Sequence, residues 1–299
     1  MRHQATHIES KIAKHSLLGD VMQLVKMRLT AMVVFSSVAS FLIVSSFTVS
    51  WEYAVLLAVG GFFVAGASNA LNEVLEKDYD ILMARTKDRP IAAGRMSMST
   101  GVLIAGLMSL VGISLLSLFN PLTGFLGMLS LILYAFVYTP MKRQSSVAVL
   151  LGAIPGAMPM LIGCVAFQGY ISTLGLFLFA FLFLWQIPHF WAIGYLGFDD
   201  YNKAGYKFIP QDNGAIANRI KIQSIAITLF MTIAATAFLL IDEFSLVAVS
   251  LMVISGLGFS YTAYKFMKQT DRSSALKLMF GSIIYLPSIL VIMMIDKIF

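Results

Sequence analysis

Long apolar runs alternate with short polar connections along almost the whole chain. The runs fall at about 29–49, 53–73, 98–118, 121–140, 147–167, 171–196, 219–240, 244–266 and 274–296. Each is close to the ~20 residues with which an α-helix crosses the hydrocarbon core of a bilayer while satisfying its own backbone. The pattern predicts an all-α polytopic membrane protein with nine transmembrane helices. A polar arm, residues 1–28, precedes them. In it Ile8, Ile12, Leu17, Val21 and Leu24 recur at near-helical spacing among Lys11, Lys14 and Lys26. That suits an amphipathic helix lying on the membrane surface, or else a frayed basic arm. The division is therefore an arm, 1–28, and one transmembrane domain, 29–299.

Composition narrows the class. Of the 299 residues 59% are hydrophobic and 12% charged, with a mean hydropathy of +0.84; this excludes a soluble globular protein. The first run is too long for a signal-peptide core and reads as a retained helix. The net charge is +6, but the bases are distributed by connection rather than gathered in a patch, which excludes a nucleic-acid role. Every Lys and Arg except Lys297 falls on one side of the nine-span topology. The positive-inside rule then predicts a cytoplasmic N-terminus and an external C-terminus. Cys164 is the single cysteine and sits mid-helix, so no intramolecular disulfide or thiolate metal cluster is expected, and it reads as a small packing residue.

The chemistry concentrates in residues 72–94, NEVLEKDYDILMARTKDRPIAAG. Asn72, Glu76 and Asp80 are spaced i, i+4, i+8 and form an oxygen-rich stripe on one helix. Such a stripe suits Mg²⁺, which takes one or two carboxylates together with substrate phosphates and water. Arg85, Lys87, Arg89 and Arg95 follow, supplying direct charge-assisted contacts to phosphate. Acids that hold metal beside bases that hold phosphate suggest a diphosphate ester. The same stretch also reads as a solvated charged turn, with Glu73 and Lys77 as an i, i+4 pair.

A second long connection, 197–218, repeats the order: Asp199, Asp200 and Tyr201, then Lys203 and Lys207. The two acidic connections lie four helices apart, an arrangement that suggests two halves with a site at their interface. Before the second connection, Pro188 interrupts the helical hydrogen-bond ladder. His189 follows it as the one histidine in the membrane body. An ionisable residue there is a functional candidate, against the plainer alternative of a neutral imidazole bonded to a neighbouring helix. Gly152, Pro155, Gly156 and Pro159 fit either plain helix packing or a segment bent around a cavity.

These residues resemble a known family. Asn72-xxx-Glu76-xxx-Asp80, with Met83-x-Arg85-Thr86-xx-Arg89-Pro90-xxx-Gly94, resembles the first signature of the intramembrane UbiA-type prenyltransferases. YTPMKR (138–143), GAIPGAMP (152–159), WQIPHFWA (185–192), DYNKAG (200–205) and YLP (285–287) are similar to its heme-farnesylating branch. The likeness runs from about Lys26 to Asp296. The chain carries Glu76 where the signature often has aspartate, and Pro188-His189 where the quinone-making branches place an aspartate.

The resemblance implies a nine-helix prenyltransferase bundle in a bacterial inner membrane with its active-site connections on the cytoplasmic side. It implies transfer of a farnesyl group from farnesyl diphosphate to a vinyl group of heme b, with addition of water, giving heme o and diphosphate. Mg²⁺ or a similar divalent metal would be held by Asn72, Glu76 and Asp80, with Asp199 or Asp200 bridging a second. Arg85, Arg89, Lys142, Arg143 and Lys203 would contact the diphosphate. Asn72, Glu76, Asp80, His189 and Asp200 are the implied catalytic set. His189 would ligate the iron of heme b, which is substrate rather than cofactor, or hydrogen-bond near the reacting centre. Implied partners are farnesyl diphosphate, heme b, the lipid bilayer, and a downstream heme-modifying enzyme or terminal oxidase assembly. The alternatives are a quinone-precursor (aromatic) prenyltransferase and a transporter of an anionic substrate; clustering of the charges at one face disfavours the transporter.

Overall fold

A computed structural model describes residues 16–241 and 243–298. Ile8 and Ile12, two of the five apolar positions of the expected amphipathic pattern, lie outside the described residues. What remains of the arm is α1, Leu17–Leu24, capped by the Ser16 hydroxyl, which accepts from the Gly19 amide at 3.1 Å. Its Leu24 is buried whereas Leu17 and Leu18 are exposed. Lys26 then adopts a left-handed backbone, φ 49°, unusual for a residue other than glycine. That residue turns the chain from α1 into the first span.

Among the described residues nine helices are long and apolar enough to cross a membrane: α2 Met27–Ser45, α3 Trp51–Asp80, α4 Met98–Ser117, α5 Pro121–Met141, α6 Ala148–Gln168, α7 Thr173–Leu196, α9 Arg219–Leu240, α10 Leu246–Gln269 and α11 Arg272–Ile298. This is an integral membrane protein. The short α8, Phe198–Lys203, follows α7, and a two-residue hairpin pairs β1 Gln211–Asp212 with β2 Ala215–Ile216. Asn213 and Gly214 supply the two positive φ values of that tight turn.

α6 is the central element, packed by α2, α5 and α7 and buried along most of its length. α2, α3, α4 and α5 follow one another on one side; α7, α9, α10 and α11 do so on the other, and α11 closes the ring against α2. Glycines permit the tightest approaches. A Cβ at Gly163 would fall on the Ser37 carbonyl of α2, and one at Gly152 would lie 2.5 Å from the Tyr138 ring of α5. Prolines inside helices leave carbonyls without their usual donor. Pro159 does so to Pro155, whose carbonyl accepts instead from the Ser130 hydroxyl at 3.3 Å.

One helix end lies well beyond its apolar run. The polar connection expected from residue 74 begins only after Asp80, because α3 runs on for 30 residues; at ~1.5 Å per residue that is about 45 Å. Nothing in residues 74–80 opposes a helix, and Glu, Lys and Leu favour one. α7 runs unbroken through Pro188 and ends at Leu196, where its apolar run 171–196 ends, since burial of Pro188 among neighbouring helices tolerates the interrupted ladder.

Candidate active site

The long α3 carries the acids on one face. At about 100° per residue, Asn69, Glu73, Glu76 and Asp80 fall within about 60° of arc, with Asn72 at its edge. Asn72, Glu73, Glu76 and Asp80 are 1%, 1%, 3% and 0% exposed. They are thus not a solvated turn. Buried carboxylates require compensation, and three bases from three elements provide it.

Arg89, from the connection after α3, is the hub. Its Nη1 donates to both oxygens of Asp80 at 2.9 and 2.7 Å, while Nη1 lies 3.8 Å from Glu76 and Nε 3.8 Å from Glu73. The Thr86 hydroxyl donates to the Asp80 carbonyl at 2.9 Å and ties this connection to the helix end. Lys142, at the end of α5, pairs with Glu76. Lys26 donates to Asn72 Oδ1 at 2.7 Å. Burial pushes the Lys26 ammonium down, to about 7, and the nearby Arg89 guanidinium adds to that effect.

A π-helical turn, Leu133–Tyr138, interrupts α5 beside the acids, a feature frequent at functional sites. It sets three groups around the acids, two of them bonded to α3. Thr139 Oγ1 accepts from Asn72 Nδ2 at 3.1 Å and donates to the Tyr134 carbonyl at 2.9 Å. Tyr134 donates to Asn69 Oδ1 at 3.4 Å. The Tyr138 ring lies 4.9 Å from Lys142 Nζ.

The two acidic connections meet here. Arg85 donates to the Tyr201 hydroxyl at 2.6 Å and lies over its ring. Tyr79 and Tyr206 are in ring contact at 5.8 Å, and the Lys207 amide donates to the Lys142 carbonyl at 2.9 Å. Arg143 lies 4.1 Å over the Tyr79 ring and donates to the Leu75 carbonyl at 3.1 Å. Asp199 and Lys203 are exposed and Asp200 half-buried on α8, and none of the three forms an ion pair among the described residues. Arg95 is engaged elsewhere: it pairs with Asp20 at 2.8 Å and holds α1 against this connection.

Beyond Asn69 the stripe runs into a cavity of about 420 Å³ between α2, α3, α5, α6, α7 and α11. Its walls are apolar save for a few groups, among them Asn69, Gln186 and His189. Gly152, Pro155, Gly156 and Pro159 all line it, so this stretch of α6 forms cavity wall as well as packing closely. Leu29 and Met32 of α2 and Ile283 of α11 line it too and are exposed, so the cavity is open on the side of α2 and α11.

The fit of a divalent cation can be judged from Glu73. Both its carboxylate oxygens are buried and accept no hydrogen bond, a state a cation would relieve. Among the described residues no three His, Cys, Asp or Glu side chains converge as a preformed metal cage. Substrate oxygens and water would have to complete the shell, as is usual for Mg²⁺. The donor set fits the ion.

The sequence profile of the UbiA prenyltransferase family matches residues 33–284. The chain belongs to that family. Among curated UbiA relatives, protoheme IX farnesyltransferase of Christiangramia forsetii is 38% identical over 287 residues, 94% of each chain. The protein of the same name from Flavobacterium psychrophilum is 39% identical over 288 residues, 94% of this chain and 95% of that one. The human mitochondrial protoheme IX farnesyltransferase is 31% identical over 97% of this chain and 65% of its own. Among solved structures, digeranylgeranylglyceryl phosphate synthase superposes with a TM-score of 0.78 at 16% identity, covering 94% of this chain and 98% of that one. A UbiA homologue from Archaeoglobus fulgidus bound to GPP and Mg²⁺ gives 0.64 at 13% identity, covering 92% and 99%. These two share the fold of this UbiA protein.

Two residues that stand in this cluster are not signalled by the motif. Glu73 reads in sequence as an i, i+4 partner of Lys77, yet its i, i+3, i+7 relation to Glu76 and Asp80 makes a narrower stripe than i, i+4, i+8. Lys26 belonged to the arm by sequence position; only the turn between α1 and α2 brings it to Asn72.

Proposed function

We propose that this protein transfers the farnesyl group of farnesyl diphosphate to a vinyl group of heme b, with addition of water, giving heme o and diphosphate. The carrying observation is the continuity of a charge-balanced acid and base cluster with an apolar cavity whose wall holds His189. One end suits a diphosphate and the other an isoprenoid and a macrocycle. The volume is within the ~300–1,000 Å³ usual for small-molecule sites. The curated relatives named above carry this activity in their names, and a solved homologue binds a prenyl diphosphate with Mg²⁺.

Asn72, Glu73, Glu76 and Asp80 would hold the metal, with Asp199 or Asp200 approaching from α8. When bound, a divalent cation neutralises charge developing on the departing diphosphate. Lys26, Arg85, Arg89, Lys142, Arg143 and Lys203 would take the phosphate oxygens. Arg89 and Lys142 are held by the acids and Lys26 by the Asn72 amide oxygen, so a bound diphosphate would exchange partners with them: Arg89, Lys142 and Lys26 turn to phosphate. The vinyl carbon attacks the allylic carbon as its C–O bond breaks, the electron pair leaves with diphosphate, and water adds to the resulting cation with loss of a proton. The apolar walls keep water from the allylic carbon before the new carbon–carbon bond exists.

Residues 1–28 would form a cytoplasmic arm and 29–299 the transmembrane domain, in a bacterial inner membrane with the acidic connections inside. Purified protein given heme b, farnesyl diphosphate and Mg²⁺ should yield a heme heavier by a hydroxyfarnesyl unit, resolved by chromatography and mass. Prenylation of an aromatic acid with no new heme would overturn this reading.

A further inference from the structure

α7 and α11 meet in a closed hydrogen-bonded arrangement beside the cavity. The Ser282 hydroxyl has one proton, donated to the Met279 carbonyl at 2.6 Å. His189 Nδ1 lies 2.7 Å from the same hydroxyl oxygen. With that proton on the Met279 carbonyl, the oxygen accepts from the ring, an arrangement that selects the Nδ1–H tautomer of His189. Trp185 fixes the orientation. Its Nε1 donates to the Ser282 carbonyl at 2.9 Å, and its ring stacks on the imidazole at 4.9 Å and 15°. A histidine protonated at Nδ1 keeps a lone pair on Nε2. That nitrogen forms no hydrogen bond among the described residues, and His189 lines the cavity.

We propose that Ser282 is a positioning residue that holds His189 as the Nδ1–H tautomer with Nε2 presented to the heme iron; this rests on the reading that heme b occupies the cavity. Metal-bound histidines characteristically donate their other N–H to a fixed acceptor, which sets tautomer and ring plane. A hydroxyl acceptor leaves the ligand a neutral imidazole, and the stack on Trp185 prevents rotation about Cβ–Cγ. The plainer reading of a histidine bonded to a neighbouring helix describes only one side of the ring. The other side has no protein partner.

The test loads ferrous heme b into the purified protein in lipid nanodiscs and reads absorption and resonance Raman spectra. Wild type is compared with Ser282→Ala, Ser282→Thr and His189→Ala, and farnesyl diphosphate binding is measured on the same preparations. Wild type and Ser282→Thr are expected to show an iron–histidine stretching band that His189→Ala lacks. Ser282→Ala is expected to bind heme about 10-fold more weakly, with that band shifted or split and farnesyl diphosphate affinity unchanged. If Ser282→Ala does not fold, Trp185→Phe, which keeps the stack and removes the bond to Ser282, should shift the band likewise. A Ser282→Ala band and affinity identical to wild type overturn the assignment, as does a wild type that binds heme without the band. A wild type that binds farnesyl diphosphate but no heme overturns the heme reading itself.

Discussion

Arg89 Nη1 bridges both carboxylate oxygens of Asp80, at 2.9 and 2.7 Å, across nine residues of chain. The contact folds the connection after α3 back over the end of its own helix. It also sets the same guanidinium within 3.8 Å of Glu73 and Glu76. One side chain thereby touches three buried acids, of which Glu76 is also paired with Lys142.

Removing it should leave Asp80 and Glu73 without an ion pair among the described residues, while Glu76 keeps Lys142. Arg89→Ala is expected to destabilise the protein by about 3–5 kcal/mol, the usual cost of breaking a buried ion pair from one side. Thermal unfolding in detergent measures this. Added Mg²⁺ should raise the melting temperature of Arg89→Ala more than that of wild type, because the ion replaces the missing positive charge; equal shifts would argue against a cation site at these acids.

Glu73→Gln keeps the shape of the side chain and removes its charge. Turnover is expected to fall on the order of 100-fold or more, as when a preorganised charged group is lost from a reacting centre, with a raised Mg²⁺ requirement. An activity titration against Mg²⁺ reads both. Unchanged activity would reduce Glu73 to a structural partner of Arg89.

Glu76→Ala and Asp80→Ala are each expected to abolish turnover while the protein stays folded and inserted. Chelation of divalent ions from wild type should have the same effect reversibly. Near-normal activity in both variants would remove the metal stripe from the mechanism; retention of activity after chelation would remove the metal.

Gly152 faces the Tyr138 ring, and a Cβ there would lie 2.5 Å from it. Gly152→Ala should displace that ring, costing about 1–3 kcal/mol by overpacking. It should also lower the apparent affinity for farnesyl diphosphate, since Tyr138 lies beside Lys142. Unfolding and steady-state kinetics check the two effects separately.

Much of this molecule is written in simple periodicity. The nine spans follow from apolar runs because lipid leaves a buried backbone no alternative to helix. The acids from Asn72 to Asp80 were recognisable because a helix turns fixed spacing into a face. Other parts depend on distant elements. Lys26 reaches Asn72 through a left-handed turn that residue types did not signal. The π turn in α5 leaves no mark in hydrophobic pattern, although it places Tyr134 and Thr139. Arg95 and Arg89 look alike in sequence, and only the position of Asp20 shows that one anchors α1 while the other serves the acids.

The length of α3 has a consequence for how the reactants part. A helix of about 45 Å exceeds a hydrocarbon layer of ~30 Å by about ten residues. Trp51 and Tyr53, exposed at its start, are suited to one headgroup layer. With that end anchored, the overhang corresponds to the last turns of the helix, Asn72 through Asp80. On the proposed assignment of these acids to the diphosphate, bond cleavage takes place at a phase boundary. The ionic fragment is released where water can dissolve it and the hydrocarbon fragment where it cannot, and this difference in solubility opposes the reverse reaction.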